Sequence, residues 1–181
     1  KSAKAGDDGK WMVKLDPLKA SAKAASLTIV GNNKISLDNV LVGEVWICSG
    51  QSNMEWAIRS SMNAKAEIAA SDHPNIRLFN VPGHTVSPVP NDKAARPGSW
   101  QVCSPKTSSG FSAVGYFFGR RLQKELGVPV GLVGSNWGGT RIEPWTTLAG
   151  FESVPELANI AKQVKNYKAG TKVGGGSPSA I

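Results

Sequence analysis

Residues 43–56 read GEVWICSGQSNMEW and join an apolar run to a helical pattern. Val45–Cys48 is long enough for one buried strand, and Ser49 and Gly50 end it. From there on, apolar residues recur at four-residue steps, which predicts a helix face. They are Met54, Ile58 and Met62. The stretch therefore predicts a strand that passes directly into a helix, as in an open α/β sheet.

Gln51, Ser52 and Asn53 occupy the predicted turn between this strand and this helix. Ligands bind at the carboxyl ends of strands in open α/β sheets, and backbone N–H groups at a helix start suit an oxyanion. From the residues alone, Ser52 is most simply an N-cap whose hydroxyl satisfies a backbone donor. The alternative is a nucleophilic serine at the sheet edge. It is not the Gly-x-Ser-x-Gly elbow, because Met54 replaces the second glycine.

Downstream of residue 41 the chain alternates between strand and helix patterns, which predicts a parallel sheet with right-handed crossovers. We expect the first helix to run from about Met54 to Ala70. Further strands are expected over Ile76–Val81 and Val130–Val133. Residues 82–105 are rich in Pro, Ser, Asp and Gly and predict a long surface loop.

Two more helices are predicted in the second half of the chain. Ser112 can cap a helix that runs through Leu126 and ends at Gly127. Its expected buried residues are Val114, Phe118, Leu122 and Leu126. Residues 156–168 form an amphipathic pattern with Leu157, Ile160, Ala161 and Val164 facing inward. Residues 169–177 are rich in glycine and predict a flexible loop.

The first forty residues predict β structure only. Asp7-Asp-Gly9 is a turn signal, and Lys10–Leu15 alternates like a strand. Ser26–Val30 and Lys34–Leu37 flank the turn signal Gly31-Asn-Asn33, which predicts a hairpin.

Composition and charge exclude several functional classes. The chain has 181 residues, 40% of them hydrophobic, and contains no run long enough to span a membrane. Its net charge is +8, but the lysines are spread out and carry no interleaved aromatics, so we expect no nucleic-acid partner. The sequence begins at Lys1 without methionine or a signal-type segment, and we expect a fragment or a processed chain.

Cys48 and Cys103 are the two cysteines of the sequence. Two cysteines do not make a disulfide framework, and no Cys/His cluster has metal-ligand spacing, so we expect no metal. Cys48 is most simply a small buried residue, and a bridge to Cys103 is possible but not favoured.

The block Gly43–Met54 resembles the nucleophile block of the sialate O-acetylesterase family, within the SGNH-type hydrolases. The acetylxylan esterases of carbohydrate esterase family six are close relatives of that family. The similarity continues at Phe111–Gly119 and at Pro129–Trp145, and the three blocks cover most of residues 38–145. Three blocks in the same order are a more specific signal than one short motif.

The resemblance implies an SGNH-hydrolase (flavodoxin-like) parallel sheet with flanking helices, incomplete in this chain. Residues 1–40 would be the tail of an N-terminal β-domain. Residues 41–181 would be the N-terminal part of an SGNH-type esterase domain.

The resemblance also implies roles for individual residues. Ser52 would be the catalytic nucleophile, and its backbone N–H would form part of the oxyanion hole. The family block around Gly138-Gly139-Thr140 supplies a second N–H, which by analogy falls at Gly138, with Gly139 as the close alternative. From the glycines alone, a turn that needs positive φ is favoured. No cofactor is implied.

Further residues would contact the substrate. Gln51, Asn53 and Arg141 are the candidates. Alternatively, Asn53 and Gln51 orient the turn by side-chain hydrogen bonds, and Arg141 and Glu143 could equally form a structural ion pair. Trp46 and Trp56 are expected in the core rather than as sugar platforms.

No motif in the sequence supplies the catalytic base that a serine nucleophile needs. The family carries an Asp-x-x-His block and a Gln-Gly-Glu block, and neither occurs here. His73 and His84 are the two histidines, and neither matches the family pattern. The expected partner is therefore a C-terminal remainder of the same protein that supplies Asp and His.

The implied activity is hydrolysis of acetyl esters on sugars, most simply on sialic acid. Alternatives are an acetylxylan esterase and a non-catalytic carbohydrate-binding chain with Trp100, Trp137 or Trp145 exposed. The family implies a secreted or periplasmic location.

Overall fold

The structure is a computed structural model that describes residues 1–83 and 97–167. The predicted glycine-rich loop at 169–177 lies outside these residues, as do His84 and most of the predicted surface loop. Within the described residues, no helix is long and apolar enough to cross a membrane.

A four-stranded sheet forms the centre of the fold. Its strands are β3 (Glu44–Gly50), β4 (His73–Asn80), β5 (Gln101–Cys103) and β6 (Val130–Asn136), in the order β3-β6-β4-β5. β6 pairs in parallel with both β3 and β4, and β5 pairs antiparallel with β4. The α/β class with a parallel-containing sheet is confirmed. β5 lies inside the stretch expected to be loop.

Helices flank this sheet. They are α1 (Ser52–Glu55), α2 (Ala64–Ala69), α3 (Ala113–Leu126), α4 (Leu148–Glu152) and α5 (Ala158–Asn166). The residues expected to face inward are the less exposed ones: Ala161 is buried, and Ile160 and Val164 in α5 and Leu157 just before it are half-buried. A 3₁₀ turn at Pro155–Leu157 precedes it.

The single helix expected over residues 54–70 is wrong. α1 ends at Glu55, a 3₁₀ turn follows at Ile58–Ser60, and α2 begins only at Ala64. Two features interrupt the helix. Ala57 is extended and forms a bridge with Ser112, and Asn63 has a φ of 58°. Met62 is consequently 85% exposed rather than packed.

α3 has the predicted ends but a different buried face. Ser112 caps it by accepting the Gly115 N–H, and Gly127 ends it with a φ of 66°. Its buried residues are Ala113, Gly115, Tyr116 and Gly119. Of the four expected ones, Leu122 packs on the core, while Val114, Phe118 and Leu126 are about half exposed.

The glycines explain this choice of face. A β-carbon on Gly119 would lie 2.6 Å from Leu132 Cδ1, and one on Gly115 would lie 2.8 Å from Cys48 Sγ. The helix therefore approaches the sheet through its smallest residues, which brings α3 close to β3 and β6.

The expectation that Val45–Cys48 is buried is also wrong. Val45 and Ile47 are 64% and 72% exposed, and only Cys48 is buried, because β3 is an edge strand of the described sheet. Trp46 and Trp56 are exposed as well, contrary to their expected place in the core. Trp46 meets Phe118 edge-on, with ring centroids 5.1 Å apart.

The amino-terminal segment contains the predicted hairpin. β1 (Ser21–Val30) pairs antiparallel with β2 (Lys34–Val42) as a separate two-stranded sheet. A turn lies at residues 7–9 as expected, but residues 10–15 form no strand. The Arg77 side chain on β4 donates a hydrogen bond of 3.0 Å to Asn39 on β2 and so ties the hairpin to the sheet.

Candidate active site

The carboxyl ends of β3 and β6 lie side by side. Gly50 pairs with Asn136, the last residue of each strand. The Trp137 N–H then donates to the Gly50 carbonyl at 2.9 Å, which holds the two following segments together. Ser52 begins α1 on one segment, and the Gly138-Gly139 turn follows on the other.

Ser52 is not the N-cap of α1, because that position belongs to Gln51. The Ser52 hydroxyl is exposed and donates a hydrogen bond of 3.2 Å to Gln51 Oε1. It accepts one of 3.3 Å from the backbone N–H of Gly139. The hydroxyl is thus accessible and faces a backbone donor from another strand end.

The two glycines of the turn have different partners. The Gly138 N–H donates to Glu55 Oε2 at 2.6 Å, whereas the Gly139 N–H faces Ser52. Gly139 has a φ of 76°, a conformation that favours glycine. The turn that needs positive φ is present, and the donor beside Ser52 belongs to Gly139, the alternative to Gly138.

The turn is anchored from behind by side chains. Thr140 Oγ1 donates to the Trp137 carbonyl at 2.8 Å and accepts from Trp145 Nε1 at 2.9 Å. Thr140 is buried, so these bonds are shielded from water.

α1 is short, and tertiary contacts hold it in place. Met54 packs on the core, and the Ser112 hydroxyl donates to its sulfur at 3.4 Å. The Ala113 N–H donates to the Trp56 carbonyl at 2.7 Å. The start of α3 therefore fixes the end of α1, and with it the position of Ser52.

The other predicted contact residues lie around the same edge. Gln51 and Asn53 flank Ser52 and are exposed. Arg141 follows the glycine turn and is exposed too. Among the described residues no Arg141–Glu143 ion pair forms within 4.0 Å, and Glu143 Oε2 is buried without a hydrogen-bond partner.

Sequence reasoning missed three polar residues at this edge. Glu55 was overlooked although it follows Ser52 by three residues, which places both on one helix face. Asn80 and Asn136 end β4 and β6, and a β-carbon on Gly134 would lie 2.5 Å from Asn80 Oδ1 and 3.4 Å from Asn136 Nδ2. The rule that carboxyl ends of parallel strands share one edge would have found both asparagines.

His73 lies at the opposite edge of the sheet. It begins β4, whereas Ser52 follows the carboxyl end of β3, and β6 lies between these two strands and is parallel to both. His73 lies three residues before Ile76, which is level with Val130, and Gly50 is level with Asn136, six residues further along β6. Nine residues of strand therefore separate the two ends, about 30 Å at ~3.3 Å per residue. Its Nε2 lies 3.2 Å from Tyr116 Oη, and burial, aided by Arg120, holds the pKa of His73 below its usual range. His73 cannot act on Ser52.

No group of three or more His, Cys, Asp and Glu side chains among residues 1–83 and 97–167 has the arrangement of a metal site. The polar groups at the carboxyl edge include the Ser52 hydroxyl, the N–H groups of the glycine turn, side-chain amides, the Arg141 guanidinium and the Glu55 carboxylate.

Comparison with known proteins gives one consistent family. A sequence profile described as "Carbohydrate esterase, sialic acid-specific acetylesterase" matches residues 42–172. Human sialate O-acetylesterase is 35% identical over 171 residues, which cover 88% of this chain and 32% of that protein. The Pongo abelii sialate O-acetylesterase is 35% identical over 156 residues, 81% of this chain and 30% of that protein.

A solved structure agrees in both sequence and fold. The crystal structure of a carbohydrate acetylesterase from Xanthomonas citri is 36% identical with a TM-score of 0.74, and the match covers 78% of this chain and 32% of that one. The chain thus spans about a third of the length of the relatives it matches.

Proposed function

Because this chain belongs to the sialic acid-specific carbohydrate acetylesterase family, we propose that it carries the nucleophile of a carbohydrate O-acetylesterase. The nucleophile is Ser52. The observation that supports this most is the position of its hydroxyl, exposed at the carboxyl edge of the sheet and within 3.3 Å of the Gly139 N–H.

The reaction is an acyl transfer in two steps. Ser52 Oγ loses its proton to a base and bonds the acetyl carbonyl carbon, while the carbonyl π electrons move to oxygen. The tetrahedral intermediate then expels the sugar oxygen, which takes up the proton, and leaves an acetyl-enzyme. Water attacks this ester in the same manner and releases acetate.

The oxyanion needs donors that point at the developing charge. The Ser52 N–H and the glycine turn are the candidates on this chain. Gly139 is better placed than Gly138, because the Gly138 N–H is held by Glu55. Each such donor is typically worth about 10²–10³ in rate.

The base is a histidine oriented by an aspartate, both on a C-terminal remainder of the same protein. Two observations support this partner. About 30 Å of strand separates His73 from the end of the sheet where Ser52 lies. In addition, β3 beside Ser52 is an edge strand of the sheet formed by the described residues, and its exposed Val45 and Ile47 leave it open to pairing or cover by further sequence.

The substrate is an O-acetylated sugar, and sialic acid is the first choice because the family profile and the curated relatives carry that specificity in their names. Gln51, Asn53 and Arg141 would contact the sugar. Acetylxylan is the alternative. Competition between O-acetyl sialic acid and acetylated xylo-oligosaccharide, measured as the ratio of kcat/KM values, decides between them.

Replacement of the nucleophile tests the function. In the protein at its natural length, Ser52→Ala should abolish turnover of p-nitrophenyl acetate and of O-acetyl sialic acid, leaving only a small residual rate. Ser60→Ala, an exposed serine eight residues away, is the matched control and should retain activity. Near-normal turnover by Ser52→Ala would remove Ser52 from this role. Absence of turnover by the wild-type protein would instead favour a non-catalytic sugar-binding chain.

A further inference from the structure

We propose that Glu55 is a positioning residue: its carboxylate holds the Gly138 N–H and thereby aims the Gly139 N–H at Ser52. This inference rests on the proposed function, because it concerns the same hydroxyl and the same glycine turn. Neither the family profile nor the relatives' names assign a role to Glu55.

The geometry is a two-point attachment between α1 and the turn. Ser52 and Glu55 are the first and last residues of α1, three positions apart, so their side chains share one face. Each takes one of two consecutive backbone N–H groups, at 3.3 Å for Ser52 Oγ and 2.6 Å for Glu55 Oε2. The shorter bond is the charge-assisted one, which is the stronger type.

The turn needs such a contact at its centre. Its flanks are fixed by the Trp137 N–H on Gly50 and by Thr140 on the Trp137 carbonyl. Between them stand two glycines, which have the greatest backbone freedom. The bond to Glu55 fixes the Trp137–Gly138 peptide plane, and the next plane, which carries the Gly139 N–H, is oriented from that fixed plane toward Ser52. Loss of the bond would free both planes to rotate and carry the Gly139 N–H away from Ser52.

Glu55 has no competing role in the described part of the chain. It forms no ion pair there with a lysine or arginine within 4.0 Å. The carboxylate of Glu55 occupies the space where a side chain at position 138 would lie. A β-carbon at Gly138 would collide with Glu55 Oε2 and lie 3.3 Å from Ser52 Oγ. The close approach of turn and carboxylate therefore requires glycine at position 138.

Three substitutions separate positioning from charge. Glu55→Ala removes the acceptor and should lower kcat/KM for p-nitrophenyl acetate about 10- to 100-fold, mainly through kcat, since a misaimed oxyanion donor is missed in the transition state. Glu55→Gln keeps the length and a carbonyl acceptor and should stay within about threefold of the wild type. Glu55→Asp keeps the charge but is one methylene shorter, and should behave like Glu55→Ala.

A control and a structural measurement accompany the kinetics. Glu67→Ala breaks the 2.6 Å ion pair with Arg120 on α3, so it should lower the Tm without changing kcat/KM. Hydrogen exchange of the Gly138 amide, followed by NMR in the protein at its natural length, should accelerate in Glu55→Ala and Glu55→Asp but not in Glu55→Gln or Glu67→Ala.

This inference would be overturned if Glu55→Asp and Glu55→Ala both kept the wild-type kcat/KM and the wild-type exchange rate of the Gly138 amide. If Ser52→Ala were inactive in the same experiments, the proposed function would still stand. If Glu55→Ala does not fold, the comparison of Glu55→Asp with Glu55→Gln decides, and equal activity of the two overturns the inference. Full turnover by Ser52→Ala would instead contradict the proposed function, whatever the Glu55 variants do.

Discussion

The Ser52 hydroxyl accepts a hydrogen bond from the Gly139 backbone N–H at 3.3 Å, although the two residues are 87 positions apart in the chain. The bond exists because β3 and β6 are parallel neighbours in register, so the segments that follow them meet at one edge. The parallel sheet thus brings a nucleophile candidate and an oxyanion-donor candidate together.

Gly139→Ala should lower kcat about tenfold or more. An alanine at a φ of 76° is strained, and relief of that strain moves the N–H away from Ser52. Gly127→Ala is the matched control, because Gly127 has a φ of 66° at the far end of α3. It should cost about 1 kcal/mol of stability and leave kcat unchanged. Equal kcat values for the two variants would contradict the role of Gly139.

Gly119→Ala should destabilise the fold by about 1–3 kcal/mol, because its new methyl group would meet Leu132 Cδ1 at 2.6 Å across a packed interface. Val114→Ala on the exposed side of α3 serves as the comparison and should change the free energy of unfolding by less than about 1 kcal/mol. Urea denaturation measures both. A larger loss for Val114→Ala would mean that the face of α3 is assigned wrongly.

This helix illustrates what the sequence could and could not predict. The cap at Ser112 and the end at Gly127 follow from local chemistry, and both are confirmed. The buried face of the helix cannot be predicted in this way, because a hydrophobic pattern counts Phe118 as a core residue and does not count Gly115 or Gly119. Small residues mark a close approach only once the partner surface is known.

The break after α1 has a similar origin. Met54 and Ile58 suggest a continuous helix, but Ala57 pairs with Ser112, which lies 55 positions away in the sequence. A periodicity read within one segment cannot include such a contact. Strands β4 and β6 were predictable because their apolar runs are self-contained and bounded by turns.

Both cysteines should resist alkylation in the native protein. Burial, together with the charge of Asp72, raises the pKa of the Cys103 thiol to about 11, and burial raises that of Cys48 as well. Since the thiolate is the reactive form, iodoacetamide at pH 8 should modify neither residue until guanidinium unfolds the protein. Mass spectrometry of the peptides checks this. A disulfide-linked Cys48–Cys103 peptide would contradict the two free thiols of the structure.

His73 should make the fold sensitive to acid. Burial and the Arg120 charge lower its pKa, outweighing Asp72 and Glu67. In the unfolded chain this histidine has a pKa of about 6.5, so as the pH falls the unfolded state is protonated before the folded state. The stability that the fold has above this pH is therefore lost progressively as the pH falls below it. His73→Gln should show a shallower decline in the free energy of unfolding between about pH 7 and pH 5. An identical slope would contradict the shift.

The site itself was predictable only in part. Ser52 and the glycine turn could be located from the sequence, because each follows an apolar run that ends in small residues. The partner of each N–H could not, since the contact between Glu55 and Gly138 joins positions 83 residues apart. The choice between two adjacent glycines depends on the orientation of a single peptide plane, and only the folded geometry supplies it.

Covalent labelling of Ser52 is the most direct test of the central claim. A serine-reactive fluorophosphonate, applied to the protein at its natural length and followed by peptide mass mapping, should modify Ser52 stoichiometrically and abolish acetylesterase activity in parallel. Ser60 and the other exposed serines should remain unmodified. An active esterase whose Ser52 peptide stays unlabelled, or one labelled at a different serine with the same loss of activity, would contradict the account.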